Sequence, residues 1–278
     1  MAAADGPVPE TASWDLGPDS RLDISVAHIA RVYNYWLGGK DHFAADRAAG
    51  EATIGVYPGI QQSARANRAF LARAVRYLAE TEGIRQFLDI GTGLPTANNT
   101  HEVAQAAAPD SRIVYVDNDP LVLAHARALL TSTPQGATAY LDADLRDTRK
   151  ILEQAAGVLD FGQPVAIMLI AILHYIPDLG EARDIVARLL AAVPADSFLV
   201  VSHAGSDLFP DEIAAFEKNL NDHLPGDTHV ARPRGQVSLF FEHTTLLEPG
   251  VVRVSEWRPE TAEEAERPTT LWGGIGRK

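Results

Sequence analysis

The chain has 278 residues, of which 46% are hydrophobic, a formal charge of −13 and no cysteine. That length buries a real core and suits one large α/β domain with an appendage. The negative charge argues against a nucleic-acid partner, which needs a basic footprint. The missing cysteine excludes disulfides, thiolate catalysis and cysteine-ligated metals. No apolar run approaches the ~20 residues of a membrane span, and residues 1–14 lack the basic start and apolar core of a signal peptide. A cytoplasmic protein with no membrane partner is expected, and the sequence is silent on oligomeric state.

Residues 1–20 carry Gly6, Pro7, Pro9, Gly17 and Pro18 with little periodicity and read as a loose arm. Helices follow at 25–37, 43–54 and 62–80, the last with Phe70, Leu71, Ala74, Val75 and Leu78 at helical spacing. Gly38-Gly39-Lys40-Asp41-His42 and Pro58-Gly59 separate them. This gives a helical cap over 21–82 ahead of a main domain over 83–278. From residue 85 strands alternate with helices, with strands expected at 86–90, 112–116, 137–141, 165–171 and 197–202. Helices are expected near Pro95, at Asp119-Pro120 and near Asp178, Asp119 reading as an N-cap before a proline. Such alternation implies a mostly parallel sheet with right-handed crossovers. A further helix follows Pro210. Two strands, 237–242 and 251–257, flank Leu247-Glu248-Pro249-Gly250, a connection too short for a parallel crossover. They form a terminal antiparallel hairpin in a seven-stranded sheet.

The most informative stretch is Phe-Leu-Asp-Ile-Gly-Thr-Gly at 87–93, followed by Arg-Ile-Val-Tyr-Val-Asp-Asn-Asp-Pro at 112–120. A strand enters a glycine turn, a helix follows, and a second strand ends in Asp117: the unit that holds a nucleoside by its ribose. Gly91 lets the chain turn, and Gly93 lets backbone amides approach a ligand. Asp117 can accept two hydrogen bonds from ribose hydroxyls, and Asn118 can flank the base. The dinucleotide fingerprint wants a third glycine where Thr96 stands. The Asp89-Ile-Gly-Thr-Gly93 wording instead resembles the S-adenosylmethionine motif, in which Asp89 would orient the ammonium group. The terminal hairpin also belongs to that fold. Leu141-Asp142-Ala143-Asp144-Leu145 lies where methyltransferases set an acid against the adenine amino group, and Asp142 and Asp144 compete for that role.

The resemblance then narrows. Arg31-Val-Tyr-Asn-Tyr-Trp-Leu-Gly-Gly-Lys-Asp41, Asn67-Arg-Ala-Phe-Leu71, Gln86-Phe-Leu-Asp-Ile-Gly-Thr-Gly-Leu-Pro-Thr96, Tyr115-Val-Asp-Asn-Asp-Pro120 and Leu247-Glu-Pro-Gly-Val251 resemble one bacterial family. It is the family of S-adenosylmethionine-dependent methyltransferase-like proteins long catalogued as a domain of unknown function. The similarity runs from about Asp23 to Lys278. His42 stands where that family's pattern has Asn, and Pro95 at the third glycine of general methyltransferases. The resemblance implies a class I, Rossmann-like methyltransferase fold and S-adenosylmethionine as cofactor, with no substrate.

Ile172-Leu-His-Tyr-Ile-Pro-Asp178 resembles the Leu-His-x-x-Pro-Asp segment of small-molecule methyltransferases, at the strand end that faces the methyl group. His174 and Tyr175 either line the site there or satisfy the loop and pack. Methyl transfer depends chiefly on alignment and needs a base only if the acceptor must lose a proton; His174 is then the first candidate and Tyr33 the second. In the cap, Tyr33, Asn34, Lys40 and Asp41 are candidates to reach inward from a closing loop, with Trp36 and Leu37 as core and Arg65, Asn67 and Arg68 as further contributors. His101 reads as a brace, and His203 and Asp207 as exposed. No histidine shows metal-ligand spacing, so no metal is expected. The reading is methyl transfer to a small molecule. The rivals are a sensor that binds the cofactor without turnover and a nicotinamide oxidoreductase.

Overall fold

A computed structural model describes residues 23–122, 132–224, 226 and 228–278. The expected arm over 1–20 lies outside the described residues. Three helices come first, α1 (Ile29–Trp36), α2 (Ala44–Val56) and α3 (Ile60–Glu80). The α/β part then lays down β1 (Gln86–Ile90), α4 (Thr100–Ala107), β2 (Arg112–Asp117), β3 (Ala137–Asp142), α5 (Thr148–Ala155), β4 (Ala166–Ile170), α6 (Leu179–Ala191) and β5 (Phe198–Ala204). The five strands fall within two residues of expectation. At Asp119-Pro120 the Asp119 carboxylate accepts from Leu121 N at 2.8 Å and Pro120–Val122 are helical; residues 123–131 lie outside the described residues. The helix expected near Pro95 starts at Thr100, because Asn98 adopts a left-handed conformation and Glu102 caps the Asn99 amide at 2.8 Å. Helix α5 was not expected; Asp147 caps it by accepting from Lys150 N at 3.1 Å.

Strand order is β3-β2-β1-β4-β5, all parallel, continuing through antiparallel β8 (Leu271–Arg277) to β6 (Thr245–Leu246). Strand β7 (Val252–Arg253) pairs further along β8, so the sheet has eight strands. The antiparallel C-terminal part is therefore present, with its strands in other places than expected. Residues 237–241 are helical and Glu242 is in a turn: α8 (Arg234–Ser238) runs into a 3-10 turn at Leu239–Phe241. Val237, Phe240 and Phe241 are buried at helical spacing, three and four residues apart. Within 251–257 only Val252–Arg253 is strand. The long partner of β5 is β8, whose glycines hide it from propensity. A Cβ at Gly273 would meet Val254 and Phe70, and one at Gly276 would meet Thr244, so these glycines admit neighbours packed against the strand.

Both sheet faces are covered, as parallel strands require. Leu88, Val114, Ile167 and Leu199 face α5, α6 and the 3-10 turn, while Phe87, Ile113, Met168 and Val200 face α3. Helix α3 thus belongs to the sheet layer through Phe70, Leu71 and Val75, and to the helical part through Ile60 and Ala64. Helices α1 and α2 close on α7 (Pro210–His223) in a separate cluster around Trp36 and Phe216. That cluster stands over the C-terminal ends of the parallel strands, where open α/β sheets bind ligands.

A buried charge network ties the helices to the sheet. Arg31 Nε lies 3.6 Å from Asp46 Oδ1 and 3.4 Å from Asp119 Oδ2, and His28 Nδ1 lies 3.0 Å from Asp119 Oδ2. Burial would raise Asp119, but the His28 contact, the Leu121 amide and Arg31 outweigh it and lower its carboxyl. Asp46 also accepts from the amides of His28 and Phe43 at 3.0 and 2.7 Å.

Candidate active site

One cleft runs under α1, α3 and α7 and encloses about 1430 Å³ of space free of protein atoms, its solvent mouth included. The cleft has two halves.

The first is built by the turns after β1, β2 and β3, lined by Asp89, Gly91, Gly93, Asp117, Asn118 and the 143–146 segment. Gly91 and Gly93 both have positive φ, 75° and 66°. A Cβ at Gly91 would strike Ile172 at 2.5 Å, whereas one at Gly93 would meet nothing within 4 Å: open space beside the backbone. Asp117 ends β2 and is buried, which raises its carboxyl. Its Oδ2 accepts from Gly93 N at 2.8 Å and its Oδ1 from Asp119 N at 3.0 Å, so it also pins the glycine turn. Asp89 is buried with Oδ2 accepting from Thr100 Oγ1 at 2.6 Å. Burial lifts it to about 6 against the opposing Thr100 bond and the Arg68 charge. Arg68 Nη2 holds the loop by donating to Ala97 O and Asn98 O at 3.3 and 3.1 Å. Of the two competing acids, Asp144 lines the cleft, held by Arg146 N at 2.7 Å, together with Leu145. Asp142 sits in register with Asp117 but is not in the lining; its carbonyl accepts from Lys150 Nζ at 2.8 Å.

The second half lies beyond the end of β4, where Ala171 takes a left-handed conformation, φ 54°. Its walls are Tyr33, Trp36, Ile213 and Phe216, and its polar groups are His174, Tyr175 and His229. A hydrogen-bond chain fixes one wall. Ala171 N donates to Ser202 Oγ at 3.0 Å, Ser202 Oγ to Asn67 Oδ1 at 2.7 Å, Asn67 Nδ2 to Tyr33 Oη at 3.1 Å, and Tyr33 Oη to Ala64 O at 3.2 Å. Burial holds the Tyr33 phenol above its usual range. Opposite lies a histidine cluster, with ring centroids of His174 and His229 4.5 Å apart and of His174 and His203 5.4 Å apart. His203 is fully buried, which corrects the expectation that it is exposed, because β5 carries it into the core beneath Phe240. Burial lowers it to about 3, and burial with its neighbours pushes His174 well below the usual imidazole range.

Asn34, Lys40 and Asp41 do not line the cleft. Gly38 N donates to Tyr35 O and Gly39 N to Asn34 O, both at 2.9 Å, and Gly38 has φ 81°. That is a Schellman turn ending α1. The Asn34 amide oxygen accepts from Asp41 N at 3.1 Å, against Gly39, and Lys40 is exposed. His101 donates its amide to Tyr115 Oη at 2.7 Å and braces the β1 loop's helix, and Arg65 is exposed. Asp207 accepts from Trp272 Nε1 at 2.7 Å. Sequence reasoning missed His229, Ile213 and Phe216; His229 sits in a loop without a motif, and the other two read only as a helix face. No group of His, Cys, Asp and Glu among the described residues could hold a metal ion.

A parallel sheet with one antiparallel strand beside β5, and a glycine turn with acids at the ends of β1 and β2, define the class I methyltransferase architecture. The family model described as S-adenosyl methyltransferase matches residues 16–278, so the chain belongs to that family. A DUF574-family protein from Streptomyces avermitilis is 42% identical, with TM-score 0.88 over 92% of this chain and 99% of that one. A protein of Thermobifida fusca is 40% identical, with TM-score 0.85 over 95% and 99%. The plantazolicin methyltransferase complexed with S-adenosylhomocysteine, 11% identical at TM-score 0.51 over 90% and 94%, shares the fold. No curated protein matches the chain. The protein is an S-adenosylmethionine-dependent methyltransferase. Its first half-cleft fits that cofactor: the space beside the Gly93 backbone is open, and two buried acids, Asp89 and Asp117, line it.

Proposed function

We propose that the acceptor is a small molecule held in the helical half of the cleft, with the cofactor's sulfonium supplying the methyl group. The observation that carries this reading is one cleft with two chemically distinct halves meeting at Ala171–Ile172. Asp117, Asn118, Asp144 and Leu145 bind the nucleoside, and Asp89 the amino-acid end. Ionised carboxylates there favour a ligand with two positive centres. Tyr33, held at both faces of its hydroxyl, is a fixed wall. His174 Nδ1 accepts from Ala204 N at 3.4 Å and its ring also bonds the Ala171 backbone, so it stands as a fixed polar wall beside the acceptor. Helices α1 and α7 exclude water around the reacting groups, which favours alignment over hydrolysis. The enclosure by Trp36 and Phe216 suits a compact molecule, not a protein side chain on a large surface. No described helix is long and apolar enough to cross a membrane, and we place the reaction in the cytoplasm, where the cofactor is made.

The test is incubation with methyl-labelled S-adenosylmethionine and a bacterial extract separated into small-molecule, protein and RNA fractions. Label should enter the small-molecule fraction. Label confined to protein or RNA would overturn the acceptor assignment. Calorimetry should give S-adenosylhomocysteine binding and no NAD binding.

A further inference from the structure

We infer that His229 is the general base of the transfer, and that the acceptor is a neutral aromatic hydroxyl compound of the phenol class; this rests on the small-molecule reading above. His229 lies between α7 and α8, on a strand-like segment anchored by Val230 N to His174 O at 2.8 Å and Arg232 N to Ala204 O at 2.9 Å. Asn221 clamps its backbone from α7, donating to His229 O at 3.0 Å and accepting from His229 N at 2.7 Å. The ring is thereby held against His174, Tyr175 and Phe216 on the cleft wall, 3% exposed.

A base needs a free lone pair, and the other candidates have none to give. His203 Nδ1 donates to Ala204 O at 2.8 Å and its Nε2 accepts from Arg232 Nη1 at 2.8 Å. His174 spends its lone pair on Ala204 N. The Tyr33 hydroxyl is engaged by Ala64 and Asn67. In His229, by contrast, Nδ1 is buried without a hydrogen-bond partner and faces Glu217, so the neutral ring keeps its proton there and Nε2 holds the lone pair. Glu217 Oε1 stands 3.9 Å from that nitrogen, fixed by accepting from Ala231 N at 3.0 Å. A carboxylate at that range stabilises the ring once it gains a proton, as in other orienting acid–histidine pairs.

The acceptor class follows from what faces this ring. Trp36, Ile213 and Phe216 suit an apolar ring. An anionic acceptor would want a cation, but the two arginines of the lining are engaged, Arg68 on Ala97 O and Asn98 O and Arg146 on Asp144 and Tyr175 O. The Arg232 guanidinium behind it is consumed by Leu173 O, Ile176 O, Pro177 O and His203. A cationic acceptor would want a carboxylate, and those in the lining stand in the cofactor half. A neutral amine needs no base before it attacks. A neutral phenol does, and an imidazole can take its proton where it cannot take an alcohol's. The acceptor's O–H proton passes to His229 as its oxygen bonds to the methyl carbon. The carbon–sulfur bond breaks with its electron pair leaving on sulfur, and the imidazolium then returns the proton to solvent.

The experiment uses the full-length protein saturated with S-adenosylhomocysteine and the chromogenic probe 4-nitrophenol, at a pH where the free probe is mostly neutral. Wild type should develop the nitrophenolate absorbance band. His229→Gln should lose about nine-tenths of it while binding S-adenosylhomocysteine as before, and His223→Gln, at an exposed histidine ending α7, should keep it. On ¹⁵N-histidine-labelled wild type, which needs no variant to fold, the probe should shift only the His229 ring nitrogens toward imidazolium. An unchanged band in His229→Gln, or an unshifted His229 ring, overturns the base assignment. Failure of wild type to bind the probe overturns the phenol class. Failure to bind S-adenosylhomocysteine at all would instead sink the methyltransferase reading beneath it.

Discussion

The two halves of the cleft are made differently. The cofactor half comes from the turns of three successive α/β units, with Asp89, Gly91, Gly93 and Asp117 in or beside their strands and each locked by a hydrogen bond. The acceptor half is assembled from distant pieces: Tyr33 and Trp36 on α1, Phe216 on α7, His174 after β4 and His229 before α8. A half built from consecutive turns is held to a shared chemistry, because its backbone geometry is part of the fold. A half built from scattered side chains can change one wall at a time, which is how a common sheet serves many acceptors.

If Arg31 joins the halves, Arg31→Ala should have the largest effect on stability. It leaves Asp46 and Asp119 buried beside a lost cation, an expected cost of about 3–5 kcal/mol by chemical denaturation. A loss below 1 kcal/mol, on the order of a surface pair, would mean the halves are held by packing alone. Asp117→Ala should act on the cofactor half next. It removes charge-assisted hydrogen bonds of about 1.5–3 kcal/mol each, so S-adenosylhomocysteine affinity should fall at least about tenfold by calorimetry while probe binding in the acceptor half persists. Equal loss of both would erase the distinction.

The third test uses pH. Asp89 titrates near 6 in the fold against 3.8 ordinarily. Between those values the folded state holds more protons than the unfolded one. This group's contribution to stability therefore falls as pH rises through that window. A cationic ligand prefers the ionised form, so cofactor affinity should weaken roughly tenfold per pH unit below about 6. Asp89→Asn should flatten that dependence; an identical slope in the variant would assign it elsewhere. The smallest effect belongs to Tyr33→Phe, which removes one link of the Ser202–Asn67–Tyr33–Ala64 chain. About 1 kcal/mol of stability should go, with S-adenosylhomocysteine affinity unchanged; a tenfold affinity loss would move Tyr33 into the cofactor half.

The same contrast explains what could be read from the sequence. Strands β1, β2, β4 and β5 were legible because parallel strands buried on both faces write continuous apolar runs, and the glycine turn because its residues are contiguous. Strand β8 was not, since Leu-Trp-Gly-Gly-Ile-Gly-Arg owes its pairing to β5 and its glycines to Phe70, Val254 and Thr244. The run 237–242 misled because Val and two Phe favour strands, while the spacing of Val237, Phe240 and Phe241 answers to a helix. Gly38-Gly39 looked like a closing loop; the same letters end a helix, and only the amide bonds to Asn34 and Tyr35 distinguish the two. His229 left no trace, because its role depends on a ring contact with His174 across 55 residues of chain.

A crystal structure with S-adenosylhomocysteine tests the division of the cleft most directly. The account predicts the adenosine between Asp117 and the 143–145 turn, and the sulfur pointing past Ile172 toward Tyr33, His174 and His229. A nucleoside seated among Trp36 and Phe216, or a sulfur facing solvent away from that chamber, would contradict it.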